Sequence, residues 1–216
     1  MDDIGAADAA VLERRIAAVE AATGVQVVAA VVPRADDYPE APWRAFALAV
    51  SIASLASVAV DVGRPDWVGP GALLAQALLV LGAGAVAALA ARYVDAVRRW
   101  FVAEGRAAGE ARQCADALFL ARELHATPGR DAVLVLVARL ERRVVVLPDA
   151  GYRGRVAPAE WQAVVDAMTP PLRAGALREA FDAGLDALQA LLVAKGFRAG
   201  DGANRLPDAL VRGDAP

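Results

Sequence analysis

Two long stretches without a charged residue constrain this chain of 216 residues more than any other feature. The first covers residues 45–60 and reaches about 20 residues when Trp43 and Val62 are added, and the second covers residues 67–91. A helix of about 20 residues rises about 30 Å, enough to cross the apolar core of a bilayer. Soluble helices rarely avoid charge for so long. We therefore predict a transmembrane hairpin with spans at 43–62 and 68–91.

The residues beside the two runs indicate how the hairpin is oriented. Aromatic residues lie near the run ends, as at the interfaces of a membrane: Trp43, Trp67, Tyr93 and Trp100. Six arginines flank the outer ends of the runs (Arg34, Arg44, Arg92, Arg98, Arg99 and Arg106), whereas the turn between them has only Arg64. The positive-inside rule then predicts two spans in the inner (cytoplasmic) membrane with both termini cytoplasmic. A soluble, alanine-rich helical hairpin is the alternative.

Small residues indicate which faces of the two spans meet. Ser51, Ser54 and Ser57 recur at a spacing of three in the first run, and the second contains Gly82, Gly84 and Ala88. Small side chains let helix backbones approach closely, which favours contact between these faces. Each serine could equally bond to a carbonyl of its own helix. Because neither run contains an acid, a base or a histidine, we do not expect a pore.

Composition and charge exclude several classes of protein. Hydrophobic residues make up 57% of the chain, which excludes intrinsic disorder. The net charge of −3 offers no overall field for nucleic acid, so we expect no nucleic-acid partner. Cys114 is the only cysteine, which excludes a disulfide framework and a cysteine-based zinc site. We expect it to pack within a helix.

Helices and apolar strands alternate on either side of the hairpin. We predict a helix over residues 6–22 that ends at Thr23-Gly24, and then a buried strand over 25–32. One long helix is predicted from Arg92 to about His125, followed by strands at 132–137 and 144–147 that form an antiparallel hairpin. Pro158 and Glu160 begin a helix that Pro170-Pro171 ends, and a last amphipathic helix covers 172–195.

This order predicts an α/β fold, a small αβα sandwich interrupted by the transmembrane hairpin. We divide the chain into a first part of the sandwich at residues 1–42, the hairpin at 43–91, the rest of the sandwich at 92–199 and a polar tail at 200–216. The first five residues are acidic and lack the apolar stretch of a secretory signal.

Several motifs in this order resemble the TPM domain family. They are Thr23–Gln26, Glu123–Thr127, the segment Glu141–Gly151 (ERRVVVLPDAG) and Trp161. The arrangement is similar to a bacterial subgroup with two membrane helices inside the domain, and Asn204–Asp208 (NRLPD) resembles the tail motif of that subgroup. The resemblance implies an αβα sandwich. It also implies a family in which acid-phosphatase activity, metal binding, photosystem maintenance and receptor assembly occur. Many members carry Asn-Gly ahead of the central strand, where this chain has Gly129–Ala132.

His125, Glu141 and Asp149 are the candidate metal ligands. All three lie at the ends of predicted elements, and imidazole and carboxylate groups are common ligands of divalent cations such as Ca²⁺ or Mg²⁺. Alternatively, His125 caps the long helix, Glu141 is a turn charge and Asp149 stabilises a turn. Arg130 would bring positive charge close to any cation, unless Asp131 offsets it. No nucleophile–base pair, phosphate loop or dinucleotide motif is present, so catalytic residues cannot be named.

Two functions from different classes remain open. The first is a membrane-anchored, non-catalytic binding or assembly module on the cytoplasmic face, whose partners are the lipid bilayer and a protein that the sequence does not identify. The second is a membrane-bound, metal-dependent phosphatase of TPM type. The basic loop Gly151–Arg155 could contact anionic lipid headgroups or simply be solvated. We favour the module.

Overall fold

The chain divides into two units, residues 1–36 together with 107–216, and residues 37–106. The computed structural model describes residues 5–63, 69–127, 129–198 and 211–212. The predictions for Arg64–Trp67 and for the tail motif at 204–208 lie outside these residues. The domain limits at residues 42 and 92 stay predictions.

Strands and helices alternate in the order that the sequence predicted, with several changes at their ends. The strands are β1 (Val27–Val32), β2 (Val133–Ala138), β3 (Arg143–Pro148) and β4 (Val211–Arg212). The helices of the described residues are α1 (Ala6–Thr23), α2 (Glu40–Gly63), α3 (Pro70–Tyr93), α4 (Asp95–Phe101), α5 (Glu104–Ala121), α6 (Pro158–Arg173) and α7 (Leu177–Ala194). Short 3₁₀ turns at Leu124–Ala126 and Ala150–Tyr152 lie on either side of the β2–β3 hairpin.

The described strands form one sheet in the order β3-β2-β1-β4. β1 runs parallel to β2, with Val27 opposite Val133, and β2 pairs antiparallel with β3. The prediction that the early strand shares a sheet with the two later strands is therefore confirmed. β4 was not expected, because it lies in the segment predicted to be a polar tail. Val211 pairs with Ala30 of β1, so part of that tail contributes to the sheet.

Alternate residues of the central strands pack against different layers of helices. In β1, Val27, Ala29 and Val31 face a core that also contains buried residues of α1, α6 and α7. Val28, Ala30 and Val32 face the opposite core, which includes Ala111, Cys114, Ala115, Leu118 and Phe119 of α5. Because both faces are covered, the strands are apolar throughout. The αβα sandwich is thus confirmed, and Cys114 is buried in its core.

The predicted helix from Arg92 to His125 is wrong in its continuity. It is divided at Val94 and Val102, which have extended backbones, and α5 ends at Ala121. Buried Arg98 stabilises the first break, because it donates hydrogen bonds to the carbonyls of Ala91 and Arg92 at the end of α3. A side chain seven residues away thus satisfies carbonyls that a continuing helix would have used.

The predicted break at Pro170-Pro171 is also displaced. Both prolines lie inside the last turn of α6, and the chain leaves the helix at Gly175, whose φ is 81°. A left-handed residue ends a helix readily when it is glycine, because no Cβ clashes there. The beginning of α6 is as predicted, since Pro158 is in its first turn and Glu160 accepts a hydrogen bond from the Ala157 N–H.

α2 and α3 of the second unit form the predicted helical hairpin. Gly84 is buried where the helices are closest, since a Cβ there would lie 2.6 Å from a methyl of Val50 and 2.7 Å from the Phe46 ring. Gly82 has open space around its Cα, and Ser51 bonds to the carbonyl of Ala47. Contact through small residues is therefore correct for Gly84 and wrong for Gly82 and Ser51. Gln76 donates a 2.6 Å hydrogen bond to Asp61, which α2 includes beyond the charge-free run.

Both hairpin helices are long and apolar enough to cross a membrane, judged by length and composition. Only 6% of the most apolar 18-residue window of each helix is buried. Large apolar side chains are exposed along both helices, among them Ile52, Leu55, Leu74, Leu78 and Val86. A core helix of a soluble protein would bury these side chains.

Candidate functional site

The polar residues of the first unit meet where β2 begins and β3 ends. Val133 pairs with Pro148 in the antiparallel β2–β3 ladder, so the chain entering β2 lies beside the chain leaving β3. The Asp149 N–H extends the ladder by donating to the carbonyl of Ala132 at 2.9 Å. We call residues 127–132 the entry loop and residues 149–152 the exit turn.

A buried ion pair joins these two segments. Arg130 donates from Nε to Asp149 Oδ2 at 2.9 Å and from Nη2 to Oδ1 at 3.0 Å. The Asp149 side chain is only 4% exposed, whereas that of Arg130 is 53% exposed. Asp149 Oδ1 also accepts from the Ala150 N–H at 2.6 Å and so caps the following 3₁₀ turn. Its carboxylate is thus bound by both a charged and a neutral donor.

The pKa of Asp149 reflects these contacts. Burial acts to raise the pKa, because it disfavours the charged form. The hydrogen bonds from Arg130 and from the Ala150 N–H, the charge of Arg130 and the charge of His125 all act to lower it. The net result is a pKa below the usual range of an aspartate, so Asp149 is ionised at neutral pH.

Gly151 allows the exit turn to lie directly against the entry loop. A Cβ at this position would lie 2.5 Å from the Arg130 carbonyl oxygen and 2.7 Å from that of Gly129. Real Cβ atoms do not approach backbone oxygens so closely, so only glycine fits without displacing the backbone. The Gly151 N–H donates to the Arg130 carbonyl at 2.8 Å.

Tyr152 fastens the entry loop from below. Its hydroxyl donates to the Asp131 carbonyl at 2.6 Å, and its ring makes an edge contact with Trp161 at 5.1 Å between centroids. Phe197 contacts the same ring at 5.1 Å. Burial raises the pKa of Tyr152 far above its ordinary value, so the hydroxyl remains a donor at any working pH. The prediction that Trp161 anchors its helix to the sheet is confirmed, because it packs against the core through this contact.

Thr127 closes the other side of the entry loop. Its carbonyl accepts from the Arg130 N–H at 3.0 Å, and its Oγ1 accepts from the Asp131 N–H at 3.2 Å. Arg130 has a φ of 51°, the left-handed region that a non-glycine residue enters at a cost of about 1–2 kcal/mol. These contacts and the ion pair hold Arg130 in that conformation.

The structure does not bring His125, Glu141 and Asp149 together as one metal site. His125 is in the 3₁₀ turn before the entry loop, close enough for its charge to act on Asp149. Glu141 is in the turn at the far end of the β2–β3 hairpin, where it accepts from the Ala35 N–H at 2.8 Å. Six-residue strands separate Glu141 from Asp149, a distance of about 20 Å at roughly 3.3 Å per residue.

The residues at the site do not fit a divalent cation. The buried carboxylate of Asp149 already binds a guanidinium, and Ca²⁺ or Mg²⁺ would need several further oxygen ligands. Among the described residues, no group of three or more histidine, cysteine, aspartate or glutamate side chains is arranged to hold a metal ion. The expectation that Arg130 brings positive charge to this place is fulfilled by direct contact.

Sequence reasoning missed Arg130, Thr127 and Tyr152 as members of the site. Arg130 was noted only as a charge near a possible cation, since nothing in the sequence pairs it with a residue 19 positions later. The loop Gly151–Arg155 was read as basic and exposed. In the structure Arg155 stacks over the Phe197 ring, with its guanidinium carbon 3.9 Å from the centroid. Lipid contact by this loop stays a prediction.

Comparisons with known proteins identify the class of fold. Residues 90–191 match the family model described as the TPM domain. A solved structure, the NMR structure of the BA42 protein from the psychrophilic bacterium Bizionia argentinensis, is similar over 98% of this chain and 97% of its own, with a TM-score of 0.59 and 12% sequence identity. At that identity the likeness shows the fold alone. No curated protein sequence matches the chain.

Proposed function

Because this chain carries a TPM domain and belongs to the TPM domain family, we propose that it is a membrane-anchored, non-catalytic binding or assembly module. The hairpin α2–α3 anchors it in the inner membrane. The first unit, which contains the sheet and the Arg130–Asp149 pair, lies on the cytoplasmic side and recruits or stabilises a partner protein.

The exposure of the hairpin supports the anchor. Large apolar side chains cover most of the surface of α2 and α3, and such a surface in water would cause aggregation. In a bilayer the same side chains contact lipid, and the helices satisfy their own backbone hydrogen bonds. The bond between Gln76 and Asp61 joins two polar side chains that would be costly to leave unpaired in lipid.

The arginines support cytoplasmic termini. α2 and α3 are antiparallel neighbours, so the start of α2 and the end of α3 lie at one end of the hairpin. Arg44, Arg92 and Arg99 belong to this end. Arg106 pairs with Glu40 here at 3.0 Å, and Arg44 donates to the Phe101 carbonyl at 2.8 Å. Positive charge favours the cytoplasmic side of a membrane.

The Arg130–Asp149 pair is the observation that carries the non-catalytic part of the proposal. A hydrolase needs a carboxylate that can bind a metal, orient water or move a proton. Asp149 is buried, is bound by Arg130 and Ala150, and is held in its ionised form. The carbonyls of Arg130 and Asp131 accept from the exit turn instead of facing a ligand. This arrangement supports a structural clasp.

Fractionation and topology reporters test the anchor. The full chain is expected to stay in the membrane pellet after an alkaline carbonate wash, and to be released by detergent. Reporters fused at residue 66 and at the C-terminus should report opposite sides. A chain recovered in the wash, or two reporters on the same side, contradicts the anchor as proposed.

Cross-linking in membranes tests the recruiting role. The detergent-solubilised full chain should co-purify with a defined protein at constant stoichiometry after cross-linking. A matched control replaces residues 43–91 with an unrelated two-span hairpin. The same partner should be recovered with this control, because we assign binding to the first unit. Loss of the partner from the control moves the binding surface to the hairpin and contradicts the assignment.

A further inference from the structure

A cavity of about 370 Å³ lies within the second unit, at the basic end of the hairpin. Seven residues line it: Asp37, Pro39, Pro42, Trp43, Phe46, Ala88 and Arg92. They come from the segment leading into α2, the first turns of α2 and the last turns of α3. The volume is within the roughly 300–1,000 Å³ of small-molecule sites in proteins.

The cavity combines an apolar wall with two opposite charges. Pro39, Pro42, Trp43 and Phe46 form most of the apolar lining, and the rings of Trp43 and Phe46 meet edge to face at 6.3 Å between centroids. The charged residues are Asp37 and the exposed Arg92. A ligand that matches this lining carries an apolar part, an anionic group for Arg92 and a cationic group for Asp37.

The surroundings of the cavity are those expected at a membrane–water interface. Trp43 is 73% exposed, Tyr93 at the end of α3 is 78% exposed, and Trp100 of α4 is 87% exposed. Tryptophan and tyrosine are enriched at the level of lipid headgroups, where an apolar ring and a polar tip are both satisfied. Arg44 and Arg99 belong to the same end of the hairpin. The cavity would therefore open where lipid headgroups are present.

We propose that this cavity binds one zwitterionic glycerophospholipid of the phosphatidylethanolamine type. Arg92 binds the phosphodiester, Asp37 accepts from the ammonium group, and Trp43 and Phe46 contact the beginning of an acyl chain. This inference rests on the proposed membrane anchor, because it takes its ligand from the bilayer. Both charges of the cavity are matched by one zwitterion, whereas an anionic lipid matches only Arg92.

Lipid retention by the detergent-solubilised full chain tests the proposal. Native mass spectrometry compares added phosphatidylethanolamine, phosphatidylglycerol and diacylglycerol with the same acyl chains, and inorganic phosphate as a source of the anion alone. We expect one phosphatidylethanolamine per chain, less phosphatidylglycerol, and no retained diacylglycerol or phosphate. Arg92→Gln should reduce retention about tenfold, the effect of losing a charge-assisted hydrogen bond. Asp37→Asn should make retention of the two phospholipids equal.

Arg99→Gln is the matched control, because Arg99 lies at the same end of the hairpin and does not line the cavity. It should leave retention unchanged. The proposal is overturned if no lipid is retained, if Arg92→Gln and Arg99→Gln act alike, or if phosphatidylglycerol binds as well as phosphatidylethanolamine. Carbonate fractionation separates this failure from failure of the anchor. A chain that stays in the pellet without retaining lipid contradicts the cavity assignment alone, whereas a chain released by carbonate contradicts both.

Discussion

Arg130 binds Asp149 through two guanidinium nitrogens, and it does so from a half-exposed position while its partner is almost fully buried. Removing the two members of such a pair has unequal effects. Loss of Arg130 leaves a buried carboxylate with one backbone donor, whereas loss of Asp149 leaves an arginine that water can reach. The pair therefore offers a test of whether this site is a structural clasp or a reactive centre.

We expect Arg130→Gln to lower the melting temperature of the detergent-solubilised protein more than Asp149→Asn does. The reason is that the carboxylate, not the guanidinium, is the group left buried and charged. In the double variant most of the loss caused by Arg130→Gln should be recovered, because an amide replaces the uncompensated charge. Equal effects of the two single variants, added together in the double variant, would contradict coupling between these residues.

The same carboxylate predicts a pH dependence of stability. The folded-state pKa of Asp149 is lowered, so its contribution is fully present above its unfolded pKa of about 4 and is lost as the pH falls through the folded value. Melting curves of the parent and of Asp149→Asn should differ by a constant amount from neutral pH down to about pH 5. They should converge in more acid solution. Convergence on the alkaline side instead would refute this assignment.

Glu160 must be treated as a second source of acid sensitivity. Hydrogen bonds from Lys195 and from the Ala157 N–H hold the pKa of Glu160 below its usual range. Its contribution disappears in the same direction as that of Asp149. A Glu160→Gln background removes it from the comparison and should leave the convergence of the Asp149 curves in place.

Tyr152→Phe and Gly151→Ala test the closeness of the exit turn to the entry loop. Tyr152→Phe removes the donor to the Asp131 carbonyl and should cost about 1–2 kcal/mol. Gly151→Ala places a Cβ against two backbone oxygens and should cost more, about 3 kcal/mol. Gly154→Ala is not a suitable control because its φ is 74°, so Gly109→Ala, with open space around it, is preferred. Thermal unfolding gives the order directly.

Gly84 and Gly82 form a matched pair for the packing of the hairpin. We expect Gly84→Leu to force α2 and α3 apart, since even a Cβ would collide with Val50 and Phe46. Gly82→Leu adds an apolar side chain where nothing lies within 4 Å, and it should be tolerated. Protease sensitivity of the hairpin in detergent distinguishes the two variants. Similar sensitivity in both would mean that the helices do not pack through Gly84.

We expect no robust phosphatase activity from the purified full chain on a generic phosphomonoester, with or without Mg²⁺, Ca²⁺ or Mn²⁺. Catalysis typically lowers a barrier by roughly 8 kcal/mol or more, which requires several preorganised groups. Asp149 is committed to Arg130, and Glu141 lies at the other end of the β2–β3 hairpin. Metal-dependent turnover that both Glu141→Ala and Asp149→Ala abolish would overturn the module and favour the phosphatase.

The sheet could be predicted from sequence because each strand is a short, continuous apolar run bounded by glycine, proline or charge. The hairpin was predictable for a similar reason, since 25 consecutive uncharged residues at 67–91 leave few other structures. The breaks at Val94 and Val102 were not predictable. Neither position has a glycine or proline, and the capping group for the first, Arg98, acts through tertiary contact.

The site was harder to predict than the fold. Candidate ligands were chosen by residue type at element ends, and the sequence contains no distance between two ends of one hairpin. Antiparallel pairing of β2 with β3 put Glu141 and Asp149 at opposite ends and brought Arg130 to Asp149 instead. A positive residue before one strand and an acid after the next strand, joined by a tight turn, is the pattern that could have indicated the pair.

The parallel pairing of β1 with β2 also sets the order in which this protein can be assembled on the ribosome. Val27 must wait for Val133, so about 100 residues are translated between the two partners. At roughly 5–20 residues per second this delay is about 5–20 seconds. Both long apolar helices emerge during that interval, before the sheet can close. A nascent chain therefore delivers its helices to the translocation machinery while β1, an apolar strand with no neighbour, still depends on chaperones for protection.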